Sequence, residues 1–302
     1  MKKTLILAAS CLMLIACKKN DNEKSKPDEQ ATKYPVTFNV QDFEQSVVPM
    51  SSAKSTMAVV GDTLKNYANN LYYRVFNSSG VMIKRIDQAS TLSAFGSIKD
   101  SLTAGTYDVF IAATKGSLFV APGVPFTQSY YNPIFTSTVK YWDDTFVKLE
   151  RVTVGSAPLT KSVRLSRVVA GLDLLLTDAI PTTVSKITIT CTGDMSALNL
   201  SDNTDRGSNI NVKEFTINTT DQGVANKKFS MFVANTFSPI SITIKAYDNS
   251  SRVITEKTVN GVTFLRNAKT TLSGALFSSV GIPGAFTINV DPTWGTGNTV
   301  AF

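Results

Sequence analysis

From residue 34 onward, apolar side chains recur at every second position, and this periodicity constrains the fold more than any other feature. Val36, Phe38 and Val40 share one face. Val168, Ala170, Leu172, Leu174 and Leu176 share another, with Gly171 and Asp173 opposite. The pattern returns at Ile187 and Ile189, at Phe215 and Ile217, at Ile240, Ile242, Ile244 and Ala246, and at Phe286, Ile288 and Val290. Alternate side chains of a strand point to opposite sides, so each run marks a strand with one face in a core. Thr and Ser fill the outward positions, as half-buried sheets prefer. No apolar stripe at helical spacing persists for three turns. Short strands parted by Gly, Asn, Asp and Pro clusters predict an all-β sandwich architecture.

At 302 residues, with 43% hydrophobic and 18% charged side chains, the chain can bury two cores. Two hairpins stand out. Residues 71–76 turn at Asn77-Ser78-Ser79-Gly80 into 81–83, and residues 242–247 turn at Asp248-Asn249-Ser250-Ser251 into 253–254. Residues 107–112 echo 229–234. The echoes run in opposite chain order, which excludes a simple tandem repeat but suggests two sandwiches of one type. The expected boundary is Gly155-Ser156-Ala157-Pro158, giving an N-terminal sandwich over 34–155 and a C-terminal one over 156–302. Leu172 and Leu174 are expected in the second core, and Val169 and Asp173 on a more tolerant outer face.

Composition removes most chemistries. Histidine is absent, which takes away the commonest general base and zinc ligand. The net charge is +7, yet no basic run exceeds two residues, so nucleic acid is not an expected partner. No Walker loop, nucleophile elbow or dinucleotide fingerprint occurs, and no cofactor or catalytic residue is expected. Asp143, Asp144 and Glu150 could form a carboxylate pair, but nothing fixes their separation and exposed turn acids are commonplace. Residues 202–207 superficially resemble a calcium loop, but Thr204 and Arg206 fall where oxygen ligands belong and Lys213 where Glu is needed; no metal site is expected.

The N-terminus is more specific. Lys2 and Lys3 precede twelve residues, 5–16, that are apolar except for Ser10. That is too short to span a bilayer and suits a signal peptide over residues 1–16. It ends Leu14-Ile15-Ala16-Cys17, which resembles the bacterial lipobox. The resemblance implies cleavage before Cys17, diacylglycerol on its sulfur and an acyl chain on the new amine; several chains anchor where one would not. The alternative is an ordinary secretory signal with an incidental cysteine. Cys11 would leave with the signal, so Cys191 would remain as a free thiol, placed by its apolar neighbours as a buried structural residue. Residues 18–33 carry no large apolar side chain, so 17–33 reads as an acylated cysteine and flexible tether of at most about 53 Å.

Residues 119–146 hold eight aromatics in 28 positions, against 9% for the whole chain. Aromatics with polar tips can stack on sugars or anchor a protein. Tyr130, Tyr131, Tyr141 and Trp142 are therefore the candidate partner- or glycan-binding residues. Their alternative use is to pack this segment onto the first domain or into the seam between domains.

The run Leu165-Ser166-Arg167-Val168-Val169-Ala170-Gly171-Leu172-Asp173-Leu174 resembles the L-x-R-x-x-A-x-L-x-L opening of the second domain in the fimbrillin superfamily. Ile180-Pro181, the stretch 102–109 and the strand 286–291 leading to Trp294 fit as well. Within it, the chain looks most like the FimB-type fimbrial anchor lipoproteins of Bacteroidota. This resemblance implies two tandem transthyretin-like sandwiches and no catalytic residues. It also implies lipid anchoring in the outer membrane at the surface-exposed base of a fimbrium, and a shaft subunit as partner by β-strand exchange. A non-enzymatic fimbrial anchor or minor subunit contributing to adhesion is the reading; a surface lipoprotein binding glycans for polysaccharide uptake is the alternative. A host or glycan ligand fits either. The resemblance implies that shaft subunits are cut after an arginine near their first strand. Here the first arginine is Arg74, inside an expected strand, so the first strand is expected to stay, the alternative being a cut by a lysine-specific or other protease at Lys54.

Overall fold

In the computed structural model the described residues are 31–44, 62–123, 126–137, 140–278 and 286–291, with side chains of the first segment described to Val40. The expected signal peptide, Cys17 and most of the expected tether lie outside them, as does Trp294. The described chain is almost entirely strand. In order it forms β1 (Lys33–Glu44), the short helix α1 (Asp62–Tyr67), β2 (Asn70–Phe76), β3 (Met82–Ala89), β4 (Ser97–Thr103), β5 (Gly105–Thr114), β6 (Leu118–Ala121), β7 (Tyr130–Pro133), β8 (Thr145–Val154) and β9 (Leu159–Arg167). There follow β10 (Ala170–Leu176), β11 (Lys186–Asn199), β12 (Asp205–Thr216), β13 (Lys227–Val233), β14 (Ile240–Tyr247), β15 (Val253–Val262), β16 (Lys269–Gly274) and β17 (Thr287–Asp291).

The first sheet has the order β3-β2-β5-β8-β9-β1-β4. It curls until its two edges meet: Gln88 on β3 accepts from the Gly96 amide and donates to the Ser97 carbonyl, and Lys84 pairs with Asp100 on β4 at 3.2 Å. The alternation seen in the sequence points Val36, Phe38, Val40, Leu71, Tyr73, Val109, Ile111, Val163 and Leu165 into the enclosed core. Strand β1 lies in the interior of this sheet. It runs antiparallel to β4 from Lys33–Thr103 to Asn39–Ser97 and parallel to β9 from Val36–Leu159 to Glu44–Ser166. Strand β9 touches β8 only at Phe146–Arg167 and Val147–Ser166, so β1 supplies most of its hydrogen-bonded partner.

The remaining strands repeat this plan. With β10, β11, β12, β13, β14, β15 and β16 as counterparts of β1, β2, β3, β4, β5, β8 and β9, every strand pairing recurs except β8–β9. Where β9 meets β8, the counterpart strand β16 instead carries β17. Leu172, Leu174, Ile187, Ile189, Cys191, Met231, Ile242, Ile244 and Leu272 fill the second core. The structure corrects the expectation of a tolerant outer face on β10. Val169 is fully buried and Asp173 nearly so, because Val169 packs in a third cluster while Ser230, Lys228 and Lys269 close over the Asp173 carboxylate.

That third cluster ties the two sandwiches together. Strands β6 and β7 are an insertion between β5 and β8 that crosses over and extends the sheet of β11, through Leu198–Tyr131 and Asn199–Tyr130. The outer faces of β2 and β5, with Tyr72, Phe76, Phe110 and Ala112, pack there against Leu118, Val120, Tyr131, Trp142, Met195 and Leu198. The segment 155–158, expected as the domain boundary, links β8 to β9, which both belong to the first sheet and pair with each other only at their far ends; the chain leaves that sheet at Val168-Val169. Arg167 latches this passage. Its guanidinium donates to both Asp144 oxygens at 2.7 and 3.0 Å and to Asn267 Oδ1 at 2.8 Å, and lies 4.6 Å from the Phe146 ring centre. The run from Leu165 to Leu174 is thus a structural joint: Leu165 enters the first core, Arg167 pins the crossing, and Ala170, Leu172 and Leu174 enter the second.

Candidate functional site

The aromatic segment separates into two roles. Tyr131 and Trp142 are fully buried, their rings 6.2 Å apart and edge to face. The Trp142 indole donates to the Met195 carbonyl at 2.8 Å, and the Tyr131 hydroxyl bonds Asn203 Oδ1 at 2.7 Å. Burial pushes the Tyr131 phenol far above its usual range. These two residues seal the seam and offer nothing to a ligand. Tyr130 and Tyr141 stay half-buried, each under a cation: Arg206 lies 4.5 Å from the Tyr130 ring and Lys213 lies 5.0 Å from the Tyr141 ring. Phe119, half exposed, meets Tyr130 edge-on at 6.4 Å. The four candidates therefore do not form one binding surface.

The carboxylates are likewise dispersed. Asp144 is consumed by Arg167, and Glu150 pairs with Lys161. Burial raises the Asp143 pKa, against the pull of Lys213. Cys191 is buried beside Met231, with Sγ and Sδ 3.8 Å apart, and burial lifts its thiol well above the ordinary value, the opposite of what a nucleophile requires. Residues 200–204 form the β11–β12 hairpin turn, where Asp202 Oδ1 accepts from the Thr204 amide and hydroxyl, and Asp205 already begins β12.

A surface that the sequence does not single out is the outer face of β12-β11-β14-β15. It carries an open depression of about 370 Å³ lined by Thr188, Thr190, Val212, Glu214, Thr243, Lys245, Tyr247 and Glu256. Its charges are paired across strands, Lys186 with Glu214 at 3.4 Å and Lys245 with Glu256 at 3.1 Å. Lys186 also lies 4.9 Å from the Tyr247 ring centre. The matching face of the first sandwich, on β2 and β5, is the apolar one covered by the seam. Alternation reveals these threonines only as outward-facing fillers; their grouping depends on cross-strand register, which one sequence does not disclose.

Solved structures share this architecture. A candidate polysaccharide-binding protein from Bacteroides thetaiotaomicron matches with a TM-score of 0.54 and 12% identity, over 87% of this chain and 96% of its own. A candidate adhesin from Bacteroides ovatus gives 0.52 and 11% over 86% and 93%. The fimbrial anchor protein from Porphyromonas gingivalis gives 0.50 and 11% over 86% and 97%. At such identities these likenesses establish a common fold. No curated protein matches the sequence. A family model, DUF6562, described as a family of unknown function, matches residues 136–299. That span takes in β8, β9 and the second sandwich and exceeds half of the 302 residues: the chain belongs to the DUF6562 family.

Proposed function

We propose that this chain is a non-enzymatic lipoprotein of the outer membrane, acylated at Cys17, which anchors or terminates a fimbrial polymer and contributes to adhesion. Its two sandwiches are then the tandem transthyretin-like domains of the fimbrillin plan, over about 34–155 and 156–302 with β9 lent to the first. The observation that carries the reading is the position of β1. The strand nearest the tether is held between β4 and β9, and Val36, Phe38 and Val40 are buried in the first core. A subunit that kept β1 would have its own sheet complete and no vacancy for a neighbour's strand. That suits the end of a polymer rather than its shaft. A shaft subunit would then be the partner, meeting this one by strand exchange, since an added strand satisfies backbone groups and fills alternate pockets. The fold shared with a fimbrial anchor protein supports the same role. Fractionation of cells expressing Cys17→Ala tests the lipid anchor: the wild type should sediment with membranes and take up labelled fatty acid, and the variant should move to soluble fractions. Membrane association unchanged in the variant, with no label on the wild type, contradicts it.

A further inference from the structure

We propose that the outer face of β12-β11-β14-β15 binds a neutral oligosaccharide, with the hydroxyls of Thr188, Thr190 and Thr243 as hydrogen-bonding partners and the Tyr247 ring as its apolar wall. The chemistry of the depression selects this ligand class. Each cation on it already faces an anion, Lys186–Glu214 and Lys245–Glu256, so the charges of this face balance and favour neither a phosphate or uronate nor an amine. What remains is hydroxyl. Thr188 is 4% exposed and lines the depression, and neither it nor Thr190 has a side-chain hydrogen bond among the described residues. Among the described residues the buried side-chain polar atoms without a partner are Arg74 Nε and Asn211 Oδ1, so the Thr188 oxygen is not sealed off: it reaches the depression and can exchange hydrogen bonds there. Thr243 and Thr258 share one hydrogen bond at 3.0 Å, which leaves further bonding capacity on each oxygen.

The contrast between sandwiches sharpens the point. In the first, the equivalent face presents Tyr72, Phe76, Phe110 and Ala112 and is covered by protein. In the second, the corresponding strands present Thr188, Thr190, Thr243, Lys245 and Tyr247 and are open. A face meant for another sandwich would be apolar like the first. A rigid sheet surface with hydroxyls at strand spacing and one aromatic at its margin suits a polyhydroxylated chain instead. Its ring C–H groups would pack on Tyr247, and its hydroxyls would exchange bonds with the threonines. The Tyr247 ring is fixed in place by Lys186 on its face, 4.9 Å away.

The test uses the full-length chain in a sugar-free detergent, titrated with maltoheptaose, cellohexaose, a linear mannan oligosaccharide and an alginate oligosaccharide. Calorimetry and ligand-observed NMR are the readouts. At least one neutral sugar should bind. Tyr247→Ala should weaken it by roughly tenfold, the value of one stacking contact, while Tyr247→Phe retains it. Thr190→Val, an isosteric change at a half-exposed site that leaves the fold intact, should weaken it as well. Binding of none of the neutral sugars up to their solubility overturns the proposal. So does tighter binding of alginate, or binding that survives both Tyr247→Ala and Thr190→Val.

Discussion

Asp194 shows how much a single side chain can organise in a fold of this kind. It follows Gly193, whose φ of 93° opens the bulge in β11, and it is fully buried. Its Oδ1 accepts from the amides of Met195, Ala234 and Asn235 at 2.7–2.9 Å, and its Oδ2 from Asn211 Nδ2 at 2.7 Å. It thereby sews β11 to the chain leaving β13. Burial raises its pKa despite these bonds, so folding favours the protonated form relative to the unfolded chain. The associated stability is full below about pH 4, the unfolded value, and is lost as pH rises through the folded one. Asp194→Asn removes that loss, and Asn211, whose Oδ1 is buried without a partner, can turn its amide to accept from the new one. We therefore expect Asp194→Asn to match or exceed the wild type at neutral pH and to flatten the pH dependence. Asp194→Ala should cost about 1–3 kcal/mol for each amide left dry. Urea unfolding at acid and neutral pH checks both, and Asn proving as harmful as Ala would refute the account. Neither Asp194 nor its role is legible in the sequence, because the Asn211 side chain and the Ala234 and Asn235 amides that define it come from distant parts of the chain. For the same reason composition locates the aromatics of 119–146 without showing which face inward.

Among the elements, the strands are largely legible. The β1 alternation, the β2–β3 and β14–β15 hairpins and the apolar face of β10 all lie where periodicity places them. The two hairpins even share a turn: Asn77 Oδ1 accepts from the amides of Ser79 and Val81, as Asp248 Oδ1 does from Ser250 and Arg252. Gly80 is obligatory in the first, because φ is 75° and a Cβ would fall 2.7 Å from the Phe126 amide. Yet these hairpins are not counterparts; the repeat aligns β2–β3 with β11–β12. Similar turns meet similar local demands, and the true repeat resides in pairing order, which leaves little trace in residue identity. Strand β10 departs from expectation on one side. The run from Val168 to Leu176 is nearly continuous in apolar residues, the signature of a strand buried on both faces, with Asp173 hidden beneath two lysines. Leu172→Ala should cost about 2–5 kcal/mol, and Val169→Asn should be comparably damaging because it buries an amide in the apolar seam. Denaturant midpoints near the wild type for Val169→Asn would show the seam to be loose.

At the scale of the molecule, two sandwiches of one topology are joined by an insertion and a buried arginine latch, which makes them a single packed unit rather than beads on a string. The sequence discloses two cores and leaves the third only as one of two uses for Tyr131 and Trp142, because their partners Tyr72, Phe110 and Leu198 each read as ordinary strand. The functional reading turns on the first strand. Removing β1 would strip β9 of nearly all its pairing and empty Val36, Phe38 and Val40 from the first core. Mass spectrometry of the protein purified from its own cell envelope tests this most directly. The account predicts a mature chain that begins at an acylated Cys17 and still carries β1; a mature chain beginning between Phe43 and Tyr67 would contradict it and make the protein a polymerising subunit.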